Sequence, residues 1–256
     1  MSESGKKLIS VIIATYKRPQ SLRMTLNSLL ACRIDKGFDY EVIVADNNSQ
    51  DDTEQVVKEM MPKFNGRLRY VFAAKPGKNN ALNTAVVYST GKYIAMTDDD
   101  CLIDQDWLFH IAQTMGKHNV DILCGKVIPV FDGGLPEWID MSINVFHGPL
   151  VNFNLGDKYI DGTVKDILPT GANMIVSRKA YNQFKKFPNE TRAQDTEIAY
   201  SWKKLGATIG YAPDVLVYHQ TPTSRLTKSY FRKWQFLSGK NSAIIFQEKF
   251  LTNLMT

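Results

Sequence analysis

The chain has 256 residues, 44% of them hydrophobic, so it can bury a substantial core as one domain or as one domain with an appendage. A net charge of +5 is too small to indicate a nucleic-acid-binding protein. The three cysteines lack metal-ligand spacing and favour a reducing, cytoplasmic compartment; the polar N-terminus and short first apolar run predict neither a secretory signal nor a membrane span.

The first half of the chain alternates short apolar runs with helical patterns. The apolar runs predict four strands, at 8–16, 40–46, 68–74 and 93–97. Helices are predicted after Pro19, around Val56 to Met60, and within 77–91. Strands and helices that alternate with short links predict an α/β fold with a mostly parallel central sheet and helices on both faces.

The second half is less regular. Residues 131–170 are rich in Gly, Pro, Asn and aromatic residues and predict loops that form one wall of a cleft. Beyond them the patterns predict a strand at 171–177, a helix from Gln194 that stops at Gly206, and a strand, a turn and a strand across 208–219. Residues 227–251 predict a basic, aromatic helix, or a pair of helices broken at Gly239.

Polar residues follow the predicted strands, and ligands of parallel sheets bind beyond such strand ends. Three consecutive carboxylates, Asp98, Asp99 and Asp100, follow a buried strand, where each raises the cost of ionising the next. One interpretation is the N-terminus of a helix, with Asp104 as its N-cap. We favour a divalent cation site, for Mg²⁺ or Mn²⁺, that bridges the carboxylates to substrate phosphates.

Two common phosphate-binding loops are missing from the sequence. The stretch "KPGKNN" lacks the flanking residues of a P-loop, and the chain has no G-x-G-x-x-G. A nucleotide pocket would therefore be built from side chains at the strand ends. Asp46 is placed to accept hydrogen bonds from a base or ribose, and Arg18, Lys75 and Lys78 could neutralise phosphate; the alternative for the two lysines is a solvated loop.

Four segments carry a family resemblance: "VIIATYKRPQSLRMTLNSLL", "EVIVADNNSQDDT", "GKNNALNTAVVYSTGKYIAMTDDDC" and "GANMIVSRKAY…QDTEIAYSWKKLGATIGYAPDVLVYHQ". In this order they resemble a family 2 glycosyltransferase with the GT-A fold, over about residues 8 to 220. The resemblance implies a GT-A domain at 1–220, with a nucleotide-binding half at 1–100 and an acceptor-binding half at 101–220, followed by a basic, aromatic helical tail at 221–256. It also implies inverting transfer of a sugar from a nucleotide-diphosphate donor, with UDP favoured, and a divalent metal.

The resemblance also implies roles for residues at the strand ends. Its D-x-D signature corresponds to residues 98–100, where Asp98 would face the ribose or a metal-bound water, Asp99 would belong to the donor site and Asp100 would hold the metal. His219 would complete the metal shell; the alternative is an ordinary hydrogen-bonding histidine. Arg225 would be a further cation that reaches the diphosphate. The remaining donor-binding residues would be Thr15, Tyr16 and Arg18 in the nucleoside pocket, Asp46 at the base with Asn48 nearby, and Lys78 near the base or phosphates.

An inverting transfer needs a base that takes the proton of the acceptor hydroxyl. In the resemblance this base is the aspartate of a Glu-Asp pair that opens a late helix. Here the pair reads Gln194-Asp195, so Asp195 is the predicted base, with a helix cap as the alternative role and Glu197 as the substitute. Trp138 and His147 would belong to the acceptor wall.

The tail and the acceptor leave alternatives open. The acceptor is predicted to be a glycan or a lipid-linked molecule, with no nucleic acid as partner. Basic and aromatic residues at 225–240 predict either peripheral association with the inner membrane face or packing of the aromatic side chains on the main domain. Two rival functions are a nucleotidyltransferase of similar α/β architecture and a non-catalytic nucleotide-sugar-binding protein.

Overall fold

One large β-sheet with helices on both faces organises the chain. The computed structural model describes residues 8–34, 37–163, 167–184 and 194–254, without the side chains of 194–197, 241–242 and 244–254. The strands are β1 (Ile9–Thr15), β2 (Tyr40–Asp46), β3 (Leu68–Phe72), β4 (Tyr93–Asp98), β5 (Cys101–Ile103), β6 (Ile122–Phe131), β7 (Ile160–Asp161), β8 (Asn173–Ser177) and β9 (Ile209–Thr221). The helices are α1 (Pro19–Leu30), α2 (Thr53–Met60), α3 (Lys78–Val87), α4 (Trp107–His118), α5 (His147–Leu150), α6 (Arg178–Phe184), α7 (Gln194–Lys204) and α8 (Lys228–Leu254).

The order of the strands places β1 at a topological switch point. The sheet runs β3-β2-β1-β4-β8-β6-β9-β5, with β7 paired to β9. The first four strands are parallel, and β8 runs antiparallel to both β4 and β6. The predicted α/β class with a mostly parallel sheet is therefore confirmed. Because β2 and β4 flank β1 on opposite sides, the crevice beyond the carboxyl ends of these strands is where such sheets bind ligands.

Both faces of the sheet are buried at β1, β2 and β4, which explains why these strands are nearly continuous apolar runs rather than alternating ones. In β1, Val11 packs into a core that includes residues of α1, α2 and α4. Its neighbour Ile12 packs into a second core that includes residues of α3 and α7. The strand ends are thus held from both sides, and this positions the residues that follow them.

Strand β9 is continuous where the sequence predicted a strand, a turn and a strand, so the predicted turn is wrong. Its pairing with β6 changes register, with Gly125 opposite Ala212 and Lys126 opposite Leu216. Residues 213–215 are extra on the β9 side and form a bulge, which locally bends the strand. The bulge explains why a turn-like sequence is accommodated inside one strand.

The buried side chain of Asn173, in β8, bridges this irregularity. Its Nδ2 donates hydrogen bonds to the carbonyl oxygens of Lys126 (3.0 Å) and Val215 (2.8 Å). Its Oδ1 accepts one from Nε1 of Trp107 in α4 (2.9 Å). A Cβ on Gly125 would lie 2.1 Å from Asn173 Nδ2, so glycine leaves room for the amide. One side chain therefore ties β8 to β6, β9 and α4.

We expect Asn173→Asp to lower the free energy of unfolding by about 3 kcal/mol or more, because a buried carboxylate that cannot donate would face two carbonyl oxygens. Urea unfolding at pH 7 measures the change. Asn154→Asp is the control, since Asn154 is exposed and needs only its oxygen to accept from Gly156 N. Equal urea midpoints for the two variants would contradict the role of the Asn173 amide.

The C-terminal helix packs its first aromatic residues on the domain. Helix α8 is a single helix of 27 residues, so the break considered at Gly239 does not occur. Phe231 is buried, with its ring centroid 5.1 Å from that of Trp138. Trp234 lies against Gly148, where an added Cβ would come within 2.3 Å of the indole. Within the described part of the chain, no helix has both the length and the apolarity needed to span a bilayer.

Candidate metal and nucleotide site

Sheet pairing brings distant polar residues to one edge. Asp98, at the end of β4, lies opposite Ala14 in β1, so it shares this edge with Thr15. Strand β5 pairs antiparallel with β9, with Cys101 opposite His219. This pairing places His219, which is distant in sequence, next to the carboxylates that precede β5.

Asp99 and Asp100 share one arginine. Asp99 is 5% exposed, and its Oδ2 accepts a hydrogen bond from Thr15 Oγ1 (2.6 Å). Nη1 of Arg18 donates to Asp99 Oδ1 (3.3 Å) and to Asp100 Oδ2 (2.8 Å). Burial, together with the negative charges of Asp100 and Asp98, raises the pKa of Asp99 to about 6. The acidic triplet is thus partly neutralised by a cation of the chain itself.

Two further cations and a histidine surround the same carboxylates. Lys78 Nζ donates to Asp98 Oδ1 (2.6 Å). Burial would raise the pKa of Asp98, but the charge and hydrogen bond of Lys78, together with nearby His219 and Arg18, hold this pKa below its ordinary value. His219 is 2% exposed, its Nε2 lies 3.3 Å from Asp100 Oδ1, and burial lowers its pKa. Arg225 Nη2 lies 4.0 Å from Asp100 Oδ2.

A cavity of about 450 Å³ opens above these groups, which lies within the range of roughly 300–1,000 Å³ that small-molecule sites occupy. Tyr16, 52% exposed, offers a ring on which a flat base could stack. The predicted residues that line the cavity are Thr15, Tyr16, Arg18, Lys78, Asp98, Asp99, Asp100, His219 and Arg225.

The acidic cluster fits a divalent cation. One oxygen each from Asp98 and Asp100 and a ring nitrogen of His219 all lie within 4.8 Å of one another. Among the residues that the structure describes, Asp100 Oδ1 is a buried oxygen with no hydrogen-bond partner. Leaving a buried carboxylate oxygen without a hydrogen bond is costly, and a cation would reduce that cost. The oxygen-rich donor set suits a hard ion such as Mn²⁺ or Mg²⁺.

The alternative interpretation of the triplet as a helix N-terminus does not fit. Helix α4 begins at Trp107, and Asp104 Oδ1 accepts a hydrogen bond from Asp106 N (3.0 Å) in the turn before it. Asp98 belongs to β4, and Asp100 immediately precedes β5. The triplet is therefore the connection between two strands.

The end of β2 differs from the sequence interpretation. Asp46 is buried, and its carboxylate accepts hydrogen bonds from the backbone and side chain of Ser49 and from Tyr70 Oη (2.8 Å). Within the described chain, the residue of this segment that lines the cavity is Asn47, rather than Asp46 or Asn48. Contact of Asp46 and Asn48 with a base stays a prediction.

Asn47 is a residue that the sequence analysis did not single out. Its Nδ2 donates to the carbonyl oxygen of Lys75 (2.9 Å), and its Oδ1 accepts from Gly77 N (2.7 Å). These bonds fix the loop that leads into α3, whose first residue is Lys78. The position of Asn47 directly after β2 was the available signal, because its neighbours Asp46 and Asn48 at the same strand end were predicted to bind the nucleotide.

Residues 131–170, which were predicted to form one wall of the cleft, place Val151 rather than Trp138 or His147 at the cavity. Trp138 packs beneath α8, and His147 Nε2 lies 2.8 Å from the carbonyl oxygen of Met141. Val151 lines the cavity, with a φ of +57° that is rare for a β-branched residue. Residues kept in such strained backbone conformations are concentrated at functional sites. The acceptor roles of Trp138 and His147 stay predictions.

The predicted base lies on α7. The helix begins at Gln194, which places Asp195 and Glu197 in its first turn. Their side chains lie outside the part of the chain that the structure describes. Further along, Ile198 and Trp202 are buried in the core and anchor the helix. The roles of Asp195 and Glu197 stay predictions.

Sequence comparison finds relatives that cover most of the chain. The family model described as "Glycosyl transferase family 2" matches residues 10–184. The succinoglycan biosynthesis protein ExoM of Rhizobium meliloti is 27% identical over 241 residues, which are 94% of this chain and 76% of ExoM. The glycosyltransferase AglE of Haloferax volcanii is 26% identical over 228 residues, which are 88% of this chain and 71% of AglE.

Solved structures share the fold. The mannosyltransferase PcManGT from Pyrobaculum calidifontis, in complex with GDP-Man and Mn²⁺, has a TM-score of 0.68 at 17% identity, covering 96% of this chain and 65% of that one. Residues 1–349 of Staphylococcus aureus TarS, in complex with UDP-GlcNAc, have a TM-score of 0.63 at 23% identity, covering 84% of this chain and 58% of that one. At such identities the likeness shows a common fold.

Proposed function

Because this chain belongs to glycosyl transferase family 2 and has the GT-A fold, we propose that it is a metal-dependent, inverting glycosyltransferase that uses a nucleotide-diphosphate sugar. The observation that carries the proposal is the cluster of Asp98, Asp100 and His219 on the wall of a cavity at the switch point of the sheet. A surface cluster of acids would not leave Asp100 Oδ1 buried and without a hydrogen bond among the described residues. The proposal extends to the residues that hold the donor.

In this site some side chains would hold the metal, and others would face the diphosphate. Asp98, Asp100 and His219 would hold the cation, whose charge offsets the negative charge that develops on the departing nucleoside diphosphate. Thr15, by its hydrogen bond to Asp99, keeps that carboxylate in place beside the ligands. Arg18 supplies positive charge on the same side of the cavity.

Inversion requires one displacement, in which the acceptor oxygen attacks the anomeric carbon from the face opposite the diphosphate. We assign to Asp195 the removal of the proton from that hydroxyl, with the carboxylate becoming a carboxylic acid as the new glycosidic bond forms. The assignment is supported by the family resemblance and by the place of Asp195 in the first turn of an anchored helix. Glu197, in the same turn, is the alternative base.

A UDP-sugar is the donor that we favour. TarS was solved with UDP-GlcNAc, which supports UDP, whereas PcManGT was solved with GDP-Man, which makes GDP the competing nucleotide. For the acceptor we propose a glycan or a lipid-linked saccharide, in keeping with the succinoglycan biosynthesis for which ExoM is named.

A thermal-shift screen tests the proposal. UDP, GDP, UDP-GlcNAc, GDP-Man and ATP are each added with and without Mn²⁺, and the melting temperature is measured. A ligand that binds the folded state raises the melting temperature, because it adds about 2.7 kcal/mol to the free energy of unfolding when its concentration is a hundred times its Kd. We expect a rise with one nucleoside diphosphate or its sugar that is larger in Mn²⁺. A rise with ATP alone would favour the nucleotidyltransferase, and no rise with any diphosphate would contradict the proposal.

We also propose that the outer face of α8 associates with an anionic membrane surface, while its inner face packs on the domain. Phe236, five residues beyond the buried Phe231, is 73% exposed. Residues 215–247 contain lysine and arginine but no aspartate or glutamate. Exposed aromatic and basic residues on one helix are the features of an interfacial helix.

The combined substitution of Phe236, Arg232 and Lys233 by glutamine should reduce pelleting with phosphatidylserine vesicles by about tenfold or more, since each basic residue contributes about 1 kcal/mol. These side chains are exposed, so the fold is left intact. Removing the whole tail would instead uncover the apolar residues Ile139 and Leu150, which pack against it. Co-sedimentation, with neutral vesicles as control, measures the change. Equal pelleting of wild type and variant would rule out the membrane face.

A further inference from the structure

The carboxylates of the cation site are already paired with cations of the chain. Asp98 Oδ1 accepts from Lys78, and Asp100 Oδ2 accepts from Arg18. Arg225 stands 4.0 Å from the same oxygen of Asp100. Around the cavity, three aspartates therefore face three basic side chains. The site is close to charge-balanced before any ligand binds.

This balance sets a condition on binding. A divalent cation that enters alone adds two positive charges beside Arg18, Lys78 and Arg225, and like charges in a partly buried site repel. A nucleotide sugar that enters alone brings a diphosphate, whose two negative charges would face three carboxylates. Binding of the cation and the diphosphate together leaves the net charge of the site unchanged. The two ligands should therefore favour each other's binding beyond any contact that they make directly.

The partner that can move is the arginine. The side chains of Asp99 and Asp100 are 7% and 10% exposed, and Asp99 is fixed by Thr15, whereas the Arg18 side chain is 46% exposed. The guanidinium is anchored only through those carboxylates among the contacts that the structure describes for this side chain. Its planar fork also matches phosphate oxygens, to which arginine can donate two parallel hydrogen bonds.

We propose that Arg18 is a positioning residue that changes partner during binding: it holds Asp99 and Asp100 in the empty site and turns to the diphosphate when a divalent cation takes its place on Asp100. This rests on the proposed function and deepens it. Arg18 then competes with the cation when no nucleotide is present and assists it when nucleotide is present. The exchange makes the affinities for cation and nucleotide depend on each other, and this coupling is reciprocal.

The test measures Mn²⁺ affinity of the full chain by the electron paramagnetic resonance signal of free Mn²⁺, with and without saturating UDP, and likewise with GDP. For Arg18→Gln we expect Mn²⁺ alone to bind about fivefold more tightly than to wild type, because its competitor is gone. We expect the nucleotide-induced gain in Mn²⁺ affinity to shrink by about the same factor. Arg18→Lys keeps the charge without the fork and should fall between the two.

Arg23→Gln is the matched control. It removes one arginine of α1 that pairs with exposed Glu59 and leaves the cavity untouched, so both Mn²⁺ affinities should equal those of wild type. If Arg18→Gln binds Mn²⁺ alone no better than wild type, or keeps the full nucleotide gain, the exchange is wrong while the proposed function stands. If wild type binds neither Mn²⁺ nor a nucleoside diphosphate, both are overturned. The melting temperature without ligands verifies that Arg18→Gln is folded.

Discussion

Asp100→Asn should abolish the part of the nucleotide-induced thermal shift that depends on Mn²⁺, and lower kcat by at least about a hundredfold. The substitution keeps the shape of the side chain but removes the negative charge that faces His219 and the cavity. It also replaces a charged carboxylate of the three-ligand cluster by a neutral amide, which attracts a divalent cation much less strongly. The loss should therefore appear in the response to Mn²⁺ and not in folding.

Asp106→Asn is the control for this experiment. Asp106 lies six residues further along, pairs with Arg33 at 3.2 Å, and is absent from the cavity lining of the described chain. The same loss of one negative charge outside the cavity should leave the Mn²⁺-dependent shift unchanged. A normal shift in Asp100→Asn would show that the acidic triplet does not hold the metal.

The first half of the fold could be predicted because most of its strands are buried on both faces and separated by helices. The runs that became β1, β2 and β4 are nearly continuous apolar sequences, and each ends at a polar residue, whereas β3 contains Arg69 and ends at Phe72. The parallel pairing of such strands aligns their carboxyl ends, so the convergence of Thr15, Arg18, Lys78 and the acidic triplet followed from the pattern alone.

The second half could be predicted only in part because its geometry depends on pairings between distant segments. His219 approaches Asp100 through the three residues of β5, a strand too short to carry any periodicity. The bulge in β9 is supported by Asn173, whose role depends on contacts with β6 and α4 that no local pattern encodes. The register of such pairs is set by tertiary packing.

Within the site, the sequence indicated the chemical roles of residues more reliably than it indicated the contacts that those residues make. Arg18, Lys78 and the acidic triplet, which were predicted to bind phosphate and metal, line one cavity of the described chain, whereas Lys75 is exposed and is not part of its lining. Charge at a buried strand end has few structural explanations. Asp46 looked equally suitable, but a hydroxyl from Tyr70 in the adjacent strand satisfies it. Val151 could not have been found, because its position depends on a left-handed backbone conformation inside an irregular loop.

Asp195→Asn should lower kcat by about 10² to 10⁴ while leaving the affinity for the nucleotide sugar and the Mn²⁺-dependent thermal shift unchanged. Asparagine has the size of aspartate but cannot take the acceptor proton, so the loss should fall on the chemical step and not on donor binding. The buried Ile198 and Trp202 hold α7 in the core, and a substitution of equal volume in its first turn should not release it. Steady-state kinetics and the thermal shift are measured on the same preparation.

Glu197→Gln decides between the two candidate bases, because it removes the other carboxylate from the same helical turn. If Asp195 is the base, Glu197→Gln should retain most of the turnover, and the reverse result would move the role to Glu197. Turnover that survives in both variants would exclude a base from this turn. A chain that only bound nucleotide sugars would have no turnover to lose, so a large fall in kcat with full donor binding also excludes the non-catalytic alternative.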